Sequence, residues 1–301
     1  MNILLLGADG QLGQRLRARL HGAGDLTALG RAGDGRWCGD LADLQGLAAT
    51  VRGLRPDVIV NAAAYTAVDR AEAEPDAAHL VNARACEVIA QEADAIGAWL
   101  VHYSTDYVFD GSGSRPWRES DAAAPLNVYG RSKLAGENAI LSSSRRHLVL
   151  RTSWVFDSGG QNFLKAILRA AATRDALKVV DDQWGSPTGA VLLADVTLQL
   201  LRKLSPERAG LYHLCAEGAT SRHGFAVYAL ACAAREGMAL KATAAQVEPV
   251  PTSAMPAAAQ RPLNSRLDTS KLREAFGVEL PRWEDGVSSA VRELARGGVA
   301  S

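Results

Sequence analysis

The start of the chain places a short apolar run directly before three glycines at three-residue spacing. Residues 3–6 form a continuous apolar segment, which is typical of a strand buried on both faces in a parallel sheet. Gly-Ala-Asp-Gly-Gln-Leu-Gly follows at residues 7–13, and leucines then recur at helical spacing through residue 20. Strand, glycine turn and helix in this order constrain the fold strongly, because this unit opens a parallel α/β sheet.

The same alternation continues through the first half of the chain. Apolar runs of strand length alternate with stretches that carry helical periodicity. The predicted strands cover 26–29, 58–60, 99–103 and 147–150, and the predicted helices cover 44–54, 77–96 and 127–141. Strands that alternate with helices predict an α/β fold with a Rossmann-like, doubly wound parallel sheet and right-handed crossovers.

The three glycines have distinct physical tasks in such a unit. Among Gly7, Gly10 and Gly13, one allows a tight turn, another lets the backbone approach a pyrophosphate, and the third permits close helix packing. The N-terminus of the following helix presents free N–H groups and the positive end of its dipole. The sequence therefore predicts a dinucleotide cofactor between the first strand and the first helix.

Beyond residue 155 the regular alternation weakens. The patterns predict helices near 162–172, 190–203 and 225–235, a strand at 211–214, and a long loop rich in Pro and Ala at 247–263. We expect an NAD(P)-binding domain over residues 1–155 and a smaller, mainly substrate-binding α/β part over residues 156–301. Elements at about 189–214 are expected to return to the first domain.

Composition and charge narrow the classes of partner. Lys plus Arg and Asp plus Glu number 33 each, so the formal net charge is zero, and we expect neither a nucleic acid nor a membrane as a partner. Met1 leads directly into a strand without a secretory signal, which predicts a cytoplasmic protein. The cysteines lack the spacing of a zinc site and are expected to be reduced thiols: Cys38, Cys86, Cys215 and Cys232.

A hydroxyl, a phenol and an ammonium form the candidate catalytic group. Tyr129 and Lys133 share one face of the predicted helix, and Thr105 follows a predicted strand 24 residues before Tyr129. A phenol has a pKa of about 10 in water, and a nearby ammonium is expected to lower the pKa of Tyr129 toward neutrality. Such a set delivers a proton to a carbonyl, and together with a dinucleotide it predicts a reductase.

The segments after the second and third strands bear on the cofactor. Arg31 stands where an acidic residue would favour NAD, and an Arg pairs with a 2′-phosphate, so the sequence favours NADPH, with NADH possible. Asp40 and Leu41 are placed to flank the adenine. The small residues at 61–64 would let the cofactor lie close to the edge of the sheet.

Seven motifs along the chain can be compared with those of known families. These motifs are the glycine loop at 7–13, Asn-Ala-Ala-Ala-Tyr-Thr-Ala-Val-Asp at 61–69, Ser-Thr-Asp-Tyr-Val-Phe-Asp-Gly at 104–111, Pro-Leu-Asn-Val-Tyr-Gly-Arg-Ser-Lys at 125–133, Arg-Thr-Ser-Trp-Val-Phe at 151–156, Asp-Gln-Trp-Gly-Ser-Pro-Thr at 182–188 and Arg-Pro-Leu-Asn-Ser-Arg-Leu at 261–267. Together they resemble the dTDP-4-dehydrorhamnose reductase family, within the extended short-chain dehydrogenase/reductase superfamily. The resemblance runs from residue 1 to about residue 290, and the last two motifs are specific within the superfamily.

The resemblance implies reduction of the 4-keto group of dTDP-4-dehydro-β-L-rhamnose, a nucleotide sugar, by NADPH or NADH. It implies that Tyr129 donates the proton, that Lys133 holds the nicotinamide ribose and lowers the pKa of Tyr129, and that Thr105 bonds the ketone oxygen. The substrate-binding residues that it implies are Thr105, Asp106, Trp154 on the sugar ring and Arg261 on the diphosphate, with Asp182 and Gln183 shaping a loop below. The cofactor-lining residues that it implies are Gly10, Gln11, Leu12, Ala63, Ala64 and Tyr103.

The sequence departs from the family at a metal bridge that joins some members into dimers. Arg15 and Val191 occupy the places of the bridging carboxylates, and neither side chain offers the oxygen ligands that a hard cation requires. We therefore expect no metal, and either a monomer or a homodimer that no metal bridges. The hydride chemistry requires no metal.

Two other functions remain open on the residues alone. A sugar-nucleotide epimerase or 4,6-dehydratase shares the fold, but a dehydratase commonly carries Asp-Glu where this chain has Asp106-Tyr107. A non-catalytic regulatory subunit is the second alternative, because a relative of the family serves as a partner of methionine adenosyltransferase. Intact Thr105, Tyr129 and Lys133 favour an active enzyme.

Overall fold

Six parallel strands form the central sheet of the computed structural model, which describes residues 1–297. The spatial order is β2-β1-β3-β4-β5-β10, and every neighbouring pair is parallel. The six strands are β1 Asn2–Leu6, β2 Asp25–Leu29, β3 Val58–Asn61, β4 Trp99–Thr105, β5 His147–Thr152 and β10 Gly210–His213. The seven other strands are β6 Val155–Phe156, β7 Leu177–Val180, β8 Trp184–Gly185, β9 Thr188–Gly189, β11 Thr220–Ser221, β12 Val247–Val250 and β13 Asn264–Ser265.

Eleven α-helices within the described residues cover the sheet and build the C-terminal part. They are α1 Gln11–Leu20, α2 Leu44–Leu54, α3 Val68–Ala73, α4 Pro75–His79, α5 Ala85–Ile96, α6 Val128–Ser143, α7 Phe163–Thr173, α8 Ala190–Leu201, α9 Arg222–Arg235, α10 Ser270–Phe276 and α11 Trp283–Gly297. Within residues 1–297, none of the helices combines the length and the apolar character that crossing a bilayer would require.

The order of the strands reverses between β1 and β3, and in open α/β sheets ligands bind at such a switch point, beyond the carboxyl ends of the strands. From β1 the chain moves outward to β2 and then crosses back to β3 on the other side of β1. Helices α1 and α8 bury one face of the sheet, and α2 and α5 bury the other. The crevice between the carboxyl ends of β1 and β3 is therefore open for a ligand.

A second hydrophobic core lies in the C-terminal part. Helices α7, α9 and α11 enclose Phe225, Trp283 and their aliphatic neighbours. Three small sheets accompany these helices, among them β11-β8-β13 and the pair β12-β7. Strand β10, from the same half of the chain, extends the central sheet beside β5. The C-terminal half of the chain contributes to both cores. The predicted domain boundary at about residue 155 therefore stays a prediction.

The α/β fold class with a mostly parallel, doubly wound sheet is confirmed, and the differences are local. The predicted helix at 77–96 is interrupted by a π-helical turn at Leu80–Arg84. The predicted loop at 247–263 is wrong in part, because β12 pairs there with β7. Helices α10 and α11 are not among the predicted elements. Their apolar residues pack onto elements distant in sequence, which local periodicity does not record.

Candidate active site

The glycine turn after β1 is built for close backbone approach. Gly7 has φ +79°, and a Cβ there would lie 2.6 Å from the Ala63 backbone nitrogen. A Cβ at Gly13 would lie 1.9 Å from the Gly7 carbonyl oxygen, so α1 can pack against the turn only without a side chain. Gly10 caps α1 without a side-chain hydrogen bond, which leaves the first N–H groups of the helix free for an anion.

A cavity of about 550 Å³ opens above this turn. Its volume lies in the usual range of small-molecule and cofactor sites, and its residues fit a dinucleotide. The predicted cofactor residues that line it are Gly7, Gly10, Gln11, Leu12, Arg31, Asp40, Leu41, Ala63, Ala64, Tyr103, Tyr129 and Lys133. Gly13 lies outside the lining, because its contact is with the Gly7 carbonyl in the floor of the turn.

Helix α6 carries Tyr129 and Lys133, and contacts near its start and further along fix it in place. The Asn127 side chain caps the helix and accepts a hydrogen bond from the Gly130 N–H at 2.8 Å. A Cβ at Gly130 would lie 2.2 Å from the Tyr107 carbonyl oxygen, so the helix packs closely on the turn after β4. Further along, buried Glu137 pairs in bidentate fashion with Arg151 on β5 at 2.6 and 2.9 Å. These contacts fix the helix against the sheet.

Lys133 is almost fully buried, and its ammonium-bearing end points to β4. Nζ donates to the Tyr103 carbonyl oxygen at 2.7 Å and lies 3.0 Å from His102 Nε2. Tyr103 turns its phenol the other way, where it hydrogen bonds the Thr197 hydroxyl. Burial lowers the pKa of Lys133 below its ordinary value.

Tyr129 and Thr105 lie side by side at the end of β4. The Thr105 hydroxyl donates to Asp106 Oδ1 at 3.1 Å, and it lies near enough to the Tyr129 phenol to affect the pKa of that phenol. Burial raises the pKa of Tyr129 well above its ordinary value, and the Thr105 hydrogen bond offsets only part of this effect. The expected lowering of this pKa by Lys133 is therefore wrong here, because Nζ bonds to β4 and not to the phenol.

A second cavity, of about 390 Å³, adjoins the first on the side of the C-terminal part. Thr105, Asp106 and Trp154 line it, and Tyr129 lines both cavities. Trp154 adopts φ +46°, which is uncommon for a non-glycine residue and holds its indole in the wall. A Cβ at Gly185 would lie 2.5 Å from that indole, so the glycine of the 182–188 motif provides space for it.

Asp106 combines deep burial with an unsatisfied oxygen. Its Oδ2 has no hydrogen-bond partner among residues 1–297, and the residue as a whole is 2 % exposed. Burial raises the pKa of Asp106 to about 6. Because unpaired buried oxygens are costly, a carboxyl in this position suits a hydroxyl donor from a bound molecule.

Two arginines, Arg222 and Arg261, differ in their position relative to the second cavity. Arg261, predicted to meet a diphosphate, lines neither cavity and forms a bidentate pair with Asp69 at 2.6 and 2.7 Å. Arg222 lines the second cavity, with its guanidinium carbon 3.7 Å from the centroid of the Trp154 ring. The pairing with Asp69 does not exclude Arg261 from substrate binding, but Arg222 is the cation that the structure places beside Trp154.

Asp182 and Gln183, which were predicted to shape a loop below the substrate, form hydrogen bonds with the segment 251–255. Asp182 accepts hydrogen bonds from the Thr252 N–H at 2.9 and 3.0 Å, and Gln183 donates to the Thr252 hydroxyl at 3.1 Å. Arg15 on α1 pairs with Asp157 at 2.9 Å and with Glu293 at 2.8 Å. Val191 is exposed on α8.

Several residues of the site are absent from the sequence-based set, among them His102 and Arg222, and Asn61 stands in it only among the small residues at 61–64. His102 and Asn61 lie behind Lys133, and Arg222 lies on Trp154. His102 falls inside the predicted strand 99–103, where a polar residue among apolar ones is the only local signal. Arg222 has no such local signal. It lies at the start of α9, and only the folding of the chain brings it next to Trp154.

Comparison with known proteins gives a family match over nearly the whole chain. The model of the "RmlD substrate binding domain" family matches residues 1–296. The chain is 51% identical to dTDP-4-dehydrorhamnose reductase of Salmonella typhimurium, over 98% of each chain. It is 49% identical to dTDP-4-dehydrorhamnose reductase of Escherichia coli, again over 98% of each.

Solved structures of similar proteins share the fold. A dTDP-4-dehydrorhamnose reductase from Clostridium acetobutylicum superposes with a TM-score of 0.89 at 32% identity, covering 98% of this chain and 99% of that one. The Bacillus anthracis dTDP-4-dehydrorhamnose reductase, solved in complex with NADP, gives 0.88 at 33% identity, covering 97% and 98%. The extent of these matches and the identities above show that the chain belongs to the dTDP-4-dehydrorhamnose reductase family.

Proposed function

We propose that this chain reduces the 4-keto group of dTDP-4-dehydro-β-L-rhamnose to dTDP-β-L-rhamnose with hydride from NADPH or NADH, the last step of dTDP-L-rhamnose biosynthesis. Relatives named for this reaction at 51% and 49% identity support the proposal, as does the relative solved with NADP. The observation that carries it is the position of Tyr129, which lines both cavities. A nicotinamide in one cavity and a sugar in the other would meet at this residue.

The protein's own contribution is to orient the two molecules and to hold a proton. A nicotinamide cofactor, when bound, supplies the hydride. The Tyr129 phenol holds the proton for the ketone oxygen, and the Thr105 hydroxyl, which lines the same cavity, would bond that oxygen as well. Lys133, which lines the larger cavity, would hold the nicotinamide ribose. Because most of the rate of such a transfer comes from orientation, the rigid attachment of α6 to β5 is part of the catalytic arrangement.

The second cavity suits a deoxysugar joined to a diphosphate. The Trp154 indole offers an apolar face to a sugar ring, and Asp106 Oδ2 offers an acceptor to a sugar hydroxyl. Arg222 lies beside Trp154 and offers a positive charge to a phosphate. Arg261, which pairs with Asp69, offers a second positive charge to the diphosphate. These roles of Thr105, Asp106, Trp154 and Arg261 are assignments made by this proposal.

The cellular setting follows from the same chemistry. Cys38, Cys86, Cys215 and Cys232 are free thiols, which is typical of a reducing compartment, and we place the enzyme in the cytoplasm. Since Arg15 is already paired with Asp157 and Glu293, we propose a monomer or a homodimer without a metal bridge.

The decisive experiment follows NADPH absorbance in the presence of enzymatically generated dTDP-4-dehydro-L-rhamnose, with NADH run in parallel. Oxidation of the cofactor with formation of dTDP-L-rhamnose is the expected result. Binding of both cofactors without oxidation of either would overturn the reductase proposal and favour a regulatory subunit. Cofactor that stays bound through purification and is recycled would instead favour an epimerase or dehydratase.

A further inference from the structure

The indole of Trp154 is covered on both faces in this structure. A Cβ at Gly185 would lie 2.5 Å from Cε2 of the ring, 2.8 Å from Nε1 and 2.9 Å from Cδ2, which places it above the plane of the ring and not at its edge. The Gly185 backbone therefore lies on one face. The Arg222 guanidinium carbon lies 3.7 Å from the ring centroid, and it covers the other face, because on the Gly185 side it would be among the nearest atoms to that Cβ. The low exposure of Trp154, 9 %, agrees with this arrangement.

The two groups that cover the indole differ in their freedom to move. Gly185 belongs to β8, the central strand of a three-stranded sheet, and stays in place. The backbone N–H of Arg222 donates to the Gln183 carbonyl oxygen at 3.1 Å, which fixes the main chain at the start of α9. The guanidinium rests on the rings of Trp154 and, at 5.0 Å, of Phe163. The side chain of Arg222 can therefore leave the indole while its backbone stays.

The charge of Arg222 lacks a carboxylate partner. Among residues 1–297, Arg222 forms no salt bridge with an Asp or a Glu, whereas Arg261 pairs with Asp69. The Tyr107 phenol lies near both guanidinium groups. Burial lowers the pKa of Arg222, and the charge of Arg261 adds to this effect. A cation without an ion pair at the wall of a cavity, close to a second cation, suits an anionic ligand such as a diphosphate.

We propose that Arg222 controls access to Trp154 by exchanging partners: it covers the indole in the free protein and leaves it for the diphosphate of a bound nucleotide sugar. The uncovered face then receives the sugar ring. Charge-assisted hydrogen bonds to a phosphate are stronger than a cation–π contact, so the exchange is favourable only for a ligand that carries the diphosphate. The inference rests on the proposed function and deepens it, because it explains how the site selects nucleotide sugars over free sugars.

The direct test follows the Nε–Hε resonance of Arg222 by ¹H–¹⁵N NMR, assigned by its absence from the spectrum of Arg222→Lys. A proton stacked on an indole is shifted upfield by the ring current, so we expect an upfield position in the free protein. Addition of dTDP, which carries the diphosphate and no sugar, should move the resonance downfield, and L-rhamnose alone should leave it in place. Binding of dTDP without this movement would overturn the proposal, as would movement with L-rhamnose alone.

A charge-removing variant tests the contact with the diphosphate. Arg222→Met keeps a side chain of similar reach, and its Kd for dTDP is expected to rise about tenfold or more, with the affinity for NADPH unchanged. Arg235→Met is the matched control, because Arg235 lies at the other end of α9 and its guanidinium carbon is 6.0 Å from the centroid of the Tyr228 ring. Equal Kd values for dTDP in the two variants would disprove the contact and the exchange with it.

Removal of the indole separates an exchange from a fixed arrangement. In Trp154→Leu the guanidinium no longer has to leave a ring, so dTDP is expected to bind about two- to fivefold more tightly. The same variant should bind dTDP-L-rhamnose more weakly, because the sugar loses its apolar face. A fixed Arg222 would instead lose its support, and dTDP would bind more weakly. Weaker binding of dTDP to a Trp154→Leu protein with a native circular dichroism spectrum would therefore overturn the proposal.

These measurements involve no turnover, so the exchange and the proposed reaction can fail separately. Oxidation of NADPH by dTDP-4-dehydro-L-rhamnose, together with an Arg222 resonance that dTDP leaves unmoved, would overturn the exchange alone. A wild-type protein that binds no dTDP would overturn both the exchange and the proposed substrate.

Discussion

Tyr129 is held as a protonated phenol by burial, and this suits an acid better than a base. Its pKa is raised because burial disfavours the charged form, and the neighbouring Asp106 carboxyl adds to this effect. The proton is therefore present over the whole physiological range, and its release depends on the developing negative charge of a ketone oxygen. A raised pKa makes the phenol a weaker acid, which reduces the driving force for proton transfer to the ketone oxygen. The orientation provided by Thr105 and by the fixed helix α6 offsets this loss.

The first prediction concerns the acid itself. Tyr129→Phe is expected to lower kcat by about 10²–10⁴-fold, which is the usual contribution of a positioned acid, because the ring remains but the proton is lost. NADPH affinity should change less than threefold, since the glycine turn and α1 are untouched. Stopped-flow kinetics and a fluorescence titration measure the two quantities. A kcat near the wild-type value would remove Tyr129 as the proton donor.

The second prediction uses the pKa of Asp106, about 6. Between about pH 4 and pH 6 the folded chain keeps a proton on Asp106 that the unfolded chain releases, so the free energy of unfolding falls as pH rises. Asp106→Asn removes this loss and is expected to raise the free energy of unfolding near neutral pH by on the order of 1–3 kcal/mol.

The same variant should bind substrate less well. The amide presents a donor where the carboxyl oxygen accepts, so KM for the nucleotide sugar is expected to rise about tenfold or more. Urea unfolding of both proteins at pH 4 and pH 7.5, together with KM values, checks the pair of effects. Equal stability of the two proteins at both pH values would contradict the burial effect on Asp106.

A third prediction belongs to Arg31, which is exposed at the rim of the larger cavity. Arg31→Ala is expected to raise KM for NADPH about tenfold and to leave KM for NADH within a factor of two, because only NADPH carries the 2′-phosphate. Parallel kinetics with the two cofactors give the comparison. An equal loss with both would assign Arg31 to general binding or to structure.

At the scale of elements, the glycine turn illustrates how one close contact orders a strand, a turn and a helix. Helix α1 begins at Gln11, and Gly13 in its first turn lies against the carbonyl of Gly7. That contact brings the N-terminus of α1 over the carboxyl ends of β1 and β3. The anion-binding property of the helix end is then directed into the cavity.

The fourth prediction tests this contact. Gly13→Ala would place a Cβ 1.9 Å from the Gly7 oxygen, so α1 must shift, and NADPH affinity is expected to fall at least tenfold. Gly22→Ala, just beyond the same helix, meets no atom within 4 Å and serves as the matched control. Affinities by fluorescence titration decide the matter. Equal affinities in the two variants would show that the turn tolerates the added carbon.

Prediction from sequence succeeded for elements whose pattern is local and failed where packing across the chain decides. The predicted helix 44–54 coincides with α2, and the end of β1 and the start of α1 lie where the glycine motif placed them. The π-helical turn at Leu80–Arg84 packs on α6, and β12 pairs with β7 from a distant part of the chain. Periodicity within a segment contains no information on such neighbours.

At the scale of the whole molecule, the C-terminal half completes the site that the N-terminal half begins. The sheet supplies the cofactor cavity, and the second core brings Arg222 and Phe225 to the cavity that Trp154 shares with Tyr129. Reaction at the junction therefore requires both cores to be folded. The pair of Arg15 with Asp157 and Glu293 joins α1 to α11 across the same boundary.

The fifth prediction follows from that pair. Because Arg15 is held by two carboxylates where some family members place a bridging carboxylate of their own, EDTA is expected to change neither turnover nor molar mass in solution. Light scattering after size exclusion, with and without EDTA and added Mg²⁺, measures this. A dimer that dissociates in EDTA and returns with Mg²⁺ would contradict the prediction.

The sequence by itself determined the parallel α/β fold, the place of the glycine turn and the family, because these depend on short segments whose residue types carry the information locally. It also placed Tyr129 and Lys133 on one helical face, since helical geometry is local. Only the tertiary structure decided what surrounds them: His102 and Asn61 behind Lys133, Thr105 against the phenol, and Arg222 on Trp154. Burial and hydrogen bonding between distant segments set the protonation states of these groups, and neither is encoded in any single stretch of the chain.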